Sequence, residues 1–497
     1  MNKKIFLTLF LIILALGAGM RLAGITKFPP SLYWEEVALG YDAYSISETG
    51  RDHHGHPWPI VAFESFGDWK PALYFYTIVP FIKVLGLTGL AVRLPAALSG
   101  VAIMIGAGYL AKELTRKKHQ HQLQLIAMLV TAISPWAVQF SRAAWEVNLA
   151  TALILWGVIL FMKGINKSAH QLKYLISGSV LLVLSTYAYH SARVVAPLLG
   201  LGLVMLWIKK NRQNWTHIFI TAGMAVILFS PILLSLGKKT TTQRFAETSI
   251  FSNLAIIEES NARKAAAGNT LMSRIVYHRY LLFGKQIISN FLDHFNFDFL
   301  FISGDNNPRH SIQYVGTFYH FELLFLILGI FSLFKQKNKY RWFLSWWLII
   351  GILPSALTKT TPHALRILPT LPVWMILITL GIKQSLDLAK KYQLVLLALM
   401  ILIYLGELTM FWRFYSKIYP KLYASEWQDG YQEKIMEIES LRAQNPDEII
   451  YVSRKDGRPA MYYWFYTQTD PREVQAAEAT AKKDQGEFLE FKNLRFE

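Results

Sequence analysis

Apolar runs of about 20 residues, the length that crosses a bilayer as a helix, recur along this chain. Twelve apolar segments stand out, near 5–24, 71–88, 92–111, 122–140, 147–162, 174–189, 192–208, 216–235, 317–334, 342–357, 364–382 and 392–412. Charge decides which of them cross. If all twelve cross, the basic stretch Lys112–Lys118 and the basic loops after it fall outside, against the positive-inside rule. If 71–88 does not cross, one side collects Lys3/Lys4, Lys112–Lys118, Lys163–Lys173, Lys209–Arg212, Lys335–Arg341 and Lys383–Lys391. These loops hold 19 Lys/Arg and two acids, Glu113 and Asp387. The chain therefore reads as a mainly α, polytopic membrane protein with about 11 transmembrane helices. Its amino terminus lies inside and its carboxyl terminus outside. The segment 5–24 is read as an uncleaved anchor. The segment 71–88, with Pro71, Pro80 and Lys83, is read as an interfacial or re-entrant element on the outer side.

Composition supports this. Of 497 residues 53% are apolar and 17% charged, where a soluble chain carries about 25% charged residues. The net charge of +18 invites a nucleic-acid reading, but position argues against it. Residues 413–497 hold 13 basic and 15 acidic residues, so the excess lies among the spans, where it sets orientation. No nucleic-acid partner is expected. With no cysteine, disulfides, thiolate nucleophiles and Cys-ligated zinc are excluded. The expected organisation is a transmembrane domain over 1–412, with a first outer loop 25–90 and a middle outer loop 236–316. A small extracytoplasmic α/β tail follows over 413–497, with a helix near 429–443, a strand near Glu448–Ser453 and alternation at Phe488–Leu494. The expected location is the inner (cytoplasmic) membrane, with the working face outward.

This topology gathers a small set of polar turns on the outer face. Glu35 and Glu36 follow the first span beside Tyr33 and Trp34. They read either as a solvated pair or as a pair in which desolvation and repulsion raise one pKa, as a general base requires. Asp68-Trp69-Lys70-Pro71 opens the re-entrant element, and Lys70 could anchor at the interface or meet a lipid phosphate. Arg93 begins a span on the side that disfavours cations, so an anionic partner is expected. Glu146, in Ser141–Asn148, is a second acid or a partner of Arg142. Tyr189, His190 and Arg193 form one outer turn. Asp305, Arg309 and His310 lie in another, rich in turn-forming residues. His363 and Arg366 lie in a third. Together they describe a pocket for an anionic lipid head group with acids for proton transfer. His53-His54-Gly55-His56 beside Asp52 is a weak metal-like signal. No phosphate-binding Gly-Lys-Ser/Thr loop, Gly-x-Ser-x-Gly elbow or His-Glu-x-x-His is present.

Glu35-Glu36, Lys70-Pro71 and Arg93-Leu94-Pro95, in this order and spacing, resemble the GT-C membrane glycosyltransferases. The resemblance is to bacterial relatives of protein O-mannosyltransferases and of the lipid A aminoarabinose transferase. It is strongest over 25–100 and fades in the tail. It implies a polyprenyl-phosphate sugar as donor, transferred outside the membrane to a protein, lipid or glycan acceptor. By resemblance Glu35 takes the place of the catalytic Asp and Glu36 that of its partner. Lys70 and Arg93 resemble the groups that face the donor phosphate, and Arg309 and Arg366 are expected to add to the charge that holds the leaving phosphate. Glu replaces the usual Asp, which leaves open which of the pair is the base. Some relatives use a divalent metal and others do not, so a divalent metal is also left open. The implied reaction is one inverting displacement with lipid phosphate leaving. The alternative is a lipid-linked glycan polymerase or ligase, which needs no acidic pair after the first span. A transporter would carry its charges near the midplane, often in repeated halves.

Overall fold

A computed structural model describes residues 2–115, 119–166, 170–210, 215–335 and 340–497. Parts of four expected basic turns (116–118, 167–169, 211–214 and 336–339) lie outside the described residues. Eleven helices match the eleven expected spans: Lys3–Leu22, Gly89–Leu114, Gln120–Ile133, Glu146–Asn166, Gln171–Thr186, Ala192–Lys210, Trp215–Leu234, Glu322–Lys335, Arg341–Ala356, Leu371–Leu388 and Gln393–Arg413. Among the described residues seven helical stretches are long and apolar enough by themselves to cross a membrane. Three of the remaining helices have only 14 to 16 residues: Gln171–Thr186, Glu322–Lys335 and Arg341–Ala356. The fourth, Gln120–Ile133, is extended past Ser134 by Pro135–Gln139.

Two of these helices meet backbone to backbone. A Cβ on Gly329 would lie 1.9 Å from Leu377 O, and one on Gly381 would lie 1.8 Å from Phe325 O. Only glycine permits that approach, and it is how membrane helices gain packing without a hydrophobic driving force.

The element 71–88, expected not to cross, forms the helix Leu73–Leu85, at 13 residues shorter than the helices long enough to span a membrane. At its start Leu73 N–H donates to Tyr187 O at 2.8 Å. Past its end Gly89 packs on Leu32 of the first loop. The Tyr74 hydroxyl donates to Val92 O at 3.1 Å. Before it, Ala62–Ser65 and Asp68–Pro71 form an antiparallel hairpin that pairs Phe63 with Lys70. The turn residues Phe66 and Gly67 have φ of 53° and 71°, the left-handed pair that a two-residue hairpin turn demands.

The tail is not a detached appendage. Trp34–Thr49 of the first loop packs Val37, Leu39 and Tyr41 in one core with Trp464, Phe465, Phe488 and Leu494 of the tail. The tail helices Tyr431–Gln444 and Pro459–Tyr466 accompany a small sheet. In it Ile450–Val452 runs parallel to Leu494–Phe496, which pairs antiparallel with Glu490–Phe491. The expected helix near 429–443 and strand near 448–453 are there. The helix Pro459–Tyr466, too short to show a period, is an addition.

Candidate active site

Successive residues of an α-helix point about 100° apart, and this separates the acidic pair in the first turn of Trp34–Thr49. Glu36 is fully buried. Arg93 grips it with two parallel bonds, Nε to Oε1 at 2.9 Å and Nη2 to Oε2 at 2.8 Å. Ala144 N–H donates to its Oε1 at 2.8 Å. Arg93 spends its remaining N–H groups on the carbonyls of Ile25, Pro29 and Ser31. Neither side chain has capacity left for a ligand. The anionic partner expected for Arg93 is thus Glu36, and the pair locks the first loop onto the helix Gly89–Leu114.

Glu35 turns the other way, with 34% of its side chain exposed. The Lys70 ammonium donates to its Oε2 at 2.6 Å and lies 3.7 Å from Glu146 Oε1. In a strand, residues two apart share a face, so Asp68 and Lys70 point together into one cavity of about 470 Å3. Its wall comes from three separate parts of the chain: Trp34, Glu35, Asp68 and Lys70 of the first loop, Arg244 of the middle loop and Arg458 of the tail. The Arg244 guanidinium donates to Asp68 Oδ2 at 2.9 Å. His190 Nε2 donates to Trp69 O at 2.9 Å, bracing the strand that carries Lys70.

The charges set one another. Burial alone would raise the Glu35 carboxyl. The Lys70 ammonium, helped by Arg244 and Arg309, outweighs burial and holds it below its ordinary value. Burial alone would lower Lys70, and Glu35 and Glu146 more than reverse that. His190 is held down at about 3 by burial and by Arg193 and Arg244, so it is a neutral donor. Burial pushes the Tyr189 hydroxyl up to about 12, with Arg366, Glu146 and Glu35 all near enough to act on it.

The other expected residues divide in two. Arg309 lies over the rings of Tyr33 and Trp34, 5.3 and 5.2 Å from their centroids, beside Glu35. Arg366 Nη1 donates to the hydroxyls of Thr358 and Thr360 at 2.6 and 3.0 Å, opposite Tyr189. Both keep guanidinium capacity for an anion. Arg193 instead braces backbone, donating to Thr186 O and Val61 O, each at 3.3 Å. Arg142 does not pair with Glu146. It donates to the carbonyls of Met20, Ala23 and Phe28. Asp305, His310 and His363 form a second cluster, their ligating atoms within 4.8 Å of one another. The His53–His56 motif splits among three carboxylates: His53 with Asp42, His54 with Glu478 of the tail, and His56 with Asp52. It ties loop to tail and gathers no ligand set. Arg244, Gln243 and Arg458 were not singled out from the sequence. Each is one polar residue among several in its loop, and only folding brings it to the cavity.

The fold is that of the GT-C membrane glycosyltransferases, and the chain is a multi-pass membrane protein. It is similar to ArnT from Cupriavidus metallidurans bound to undecaprenyl phosphate, with a TM-score of 0.55 and 11% identity over 96% of this chain and 87% of that one. The apo state of that protein gives a TM-score of 0.52 and 12% identity over 93% of this chain and 84% of that one. The archaeal oligosaccharyltransferase AglB from Archaeoglobus fulgidus was solved with an inhibitory peptide and a dolichol-phosphate. It gives a TM-score of 0.50 and 11% identity over 93% of this chain and 63% of that one. No protein-family model matches the sequence, and no curated protein does.

Proposed function

We propose that this protein transfers a sugar from a polyprenyl-phosphate donor to an acceptor on the outer side of the cytoplasmic membrane. The observation that carries the reading is the buried Lys70 ammonium, held between Glu35 and Glu146 at the wall of the polar cavity. The likeness to proteins solved with undecaprenyl phosphate and dolichol-phosphate supports it. Glu35 is the base, because Glu36 is saturated by Arg93 and Ala144. Lys70 is the phosphate-binding cation, with Arg309, Arg366 and Arg244 around it. Arg93 is structural.

The reaction is a single displacement. Glu35 takes the acceptor proton as the acceptor atom attacks the anomeric carbon. The bond from that carbon to the phosphate oxygen breaks, and polyprenyl phosphate leaves with the electron pair. A phosphate leaving group needs positive charge more than a proton, and fixed cations supply it without reorganisation. Donor binding also arms the base. The donor phosphate draws Lys70 from Glu35, and the carboxylate, losing its counter-charge, becomes more basic. Glu146 keeps Lys70 protonated as the phosphate enters and leaves. Because Lys70 supplies the positive charge between Glu35 and Glu146, no step here is routed through a metal.

A panel of radiolabelled polyprenyl-phosphate sugars, presented to the protein in nanodiscs, tests this. Wild type should release polyprenyl phosphate from one donor class, slowly to water and faster with acceptor. Glu35→Gln should abolish release. Equal release by wild type and Glu35→Gln would remove the base from the mechanism.

A further inference from the structure

Short helices run through the middle loop between the spans Trp215–Leu234 and Glu322–Lys335. Two of them, Leu271–Val276 and Arg279–Asp293, keep large apolar side chains in the open. Leu271, Met272 and Ile275 of the first and Leu281, Ile288 and Leu292 of the second are 57–78% exposed. In the second helix these three form one stripe. At about 100° per residue, positions 288 and 292 lie within about 20° of position 281. Phe283 and Asn290, on the opposite face, are buried.

The buried face fixes the depth at which this helix lies. Asn290 Nδ2 donates to Ala356 O at 3.0 Å and to Thr358 O at 2.9 Å, where the span Arg341–Ala356 ends. His294 Nε2 lies 2.9 Å from Ser355 Oγ in the last turn of that span. A span ends where the hydrocarbon gives way to head groups, so Arg279–Asp293 is fastened at head-group level. Exposed to water, such a stripe is an aggregation liability. At a bilayer surface it is the face that enters among the acyl chains.

Charge agrees with that placement. Residues 264–292 hold Lys264, Arg274, Arg279 and Lys285 and no acid. Arg263, just before them, pairs with Glu259 at 2.6 Å, whereas among the described residues the other four engage no carboxylate. Lys285 sits about 40° from the stripe, where its stem can cover apolar surface while its ammonium reaches the head groups.

We propose that residues 264–292 are a docking surface for anionic phospholipids of the outer leaflet. The apolar stripe lies among acyl chains, and the cations hold the phosphodiester head groups. None of these residues lines the polar cavity, so the proposal does not rest on the transferase reading.

The chain has no cysteine, so one introduced cysteine takes one label. Full-length Leu271→Cys and Ile288→Cys proteins carry bimane in nanodiscs of equal parts phosphatidylglycerol and phosphatidylcholine. Brominated acyl chains, which quench bimane on contact, are placed on one lipid or the other. Tyr451→Cys, exposed on the tail, is the control. Both loop labels should be quenched and the tail label should not. Brominated phosphatidylglycerol should quench the loop labels more than brominated phosphatidylcholine, from a local enrichment of about fivefold, the factor that one Lys or Arg beside an anionic surface confers. Salt at about 1 M, which screens charges beyond about 3 Å, should bring the two lipids to parity, and so should Arg274→Gln/Arg279→Gln/Lys285→Gln. The salt arm needs no further substitution, so a variant that fails to fold leaves the test intact. Loop labels quenched no more than the tail label, as under a protein partner or a second copy, overturn the proposal. Equal quenching by the two lipids at low salt, or a difference that survives high salt, overturns it as well. None of these readings involves donor turnover, so the surface can fail while the transferase reading stands.

Discussion

Glu35→Gln should separate donor binding from turnover, with opposite signs. In the resting protein Glu35 competes with the donor phosphate for Lys70, 2.6 Å away. With 34% of its side chain exposed, the pair is well screened, so its net worth is put at about 1 kcal/mol. Removing the carboxylate frees Lys70, and the donor should bind about fivefold more tightly by that amount. The same change removes the general base, which is worth about 10²–10⁴ in rate. Lys70→Met should do the reverse to binding. A charge-assisted hydrogen bond is worth about 1.5–3 kcal/mol, so donor affinity should fall about 10- to 150-fold. The assay is equilibrium binding of labelled undecaprenyl phosphate in nanodiscs, with single-turnover release measured on the same samples. Glu35→Gln that binds more weakly than wild type would refute the competition argument. Lys70→Met that binds as wild type would refute the phosphate site.

Other consequences follow from the same contacts. Lys70→Met leaves only Arg244 and Arg309 to oppose burial at Glu35, so the acid limb of its residual turnover should move to higher pH, read from a pH–rate profile. In wild type the lowered Glu35 pKa contributes stability that is fully present above its ordinary value of 4.5 and lost as pH falls through the lowered one. A melting series should show that acid-side loss in wild type and not in Glu35→Gln. Glu36→Ala strands a buried guanidinium and should cost about 3–5 kcal/mol of stability, seen as lower yield and melting temperature. Gly486 has φ of +74°, and a Cβ there would lie 2.3 Å from Gly67 N. Gly486→Ala should pry the tail from the hairpin and speed proteolysis between 478 and 492, checked by limited digestion.

The membrane pattern was open to reading because hydropathy and basic turns act locally along the chain. Hence the eleven helices lie where hydropathy places the spans, and 71–88 forms a short helix of its own. The acidic pair and Lys70 were visible as residues out of place beside a span. Their division of labour was not. Glu35 and Glu36 are adjacent in sequence, and only the helical turn sends one to Arg93 and the other to Lys70. Arginine use was equally hidden. Arg21 and Arg142 spend their guanidinium groups on backbone carbonyls, and Arg93 divides its own between carbonyls and Glu36, whereas Arg366 bonds chiefly to threonine hydroxyls and Arg309 lies over aromatic rings. Sequence cannot tell a cation that braces loops from one that waits for an anion. The tail's alternation showed strands but not their destination. That Trp464 and Phe488 share a core with Val37 and Tyr41 depends on contacts more than 400 residues apart.

The central claim is that lipid phosphate binds at Lys70, and a cryo-electron microscopy structure in nanodiscs with undecaprenyl phosphate tests it most directly. The account predicts a phosphate oxygen about 2.8 Å from Lys70 Nζ, Glu35 parted from Lys70, and the Glu36–Arg93 pair intact. Phosphate bound at Arg93 with that pair broken, or bound away from the cavity with Lys70 still on Glu35, would contradict it.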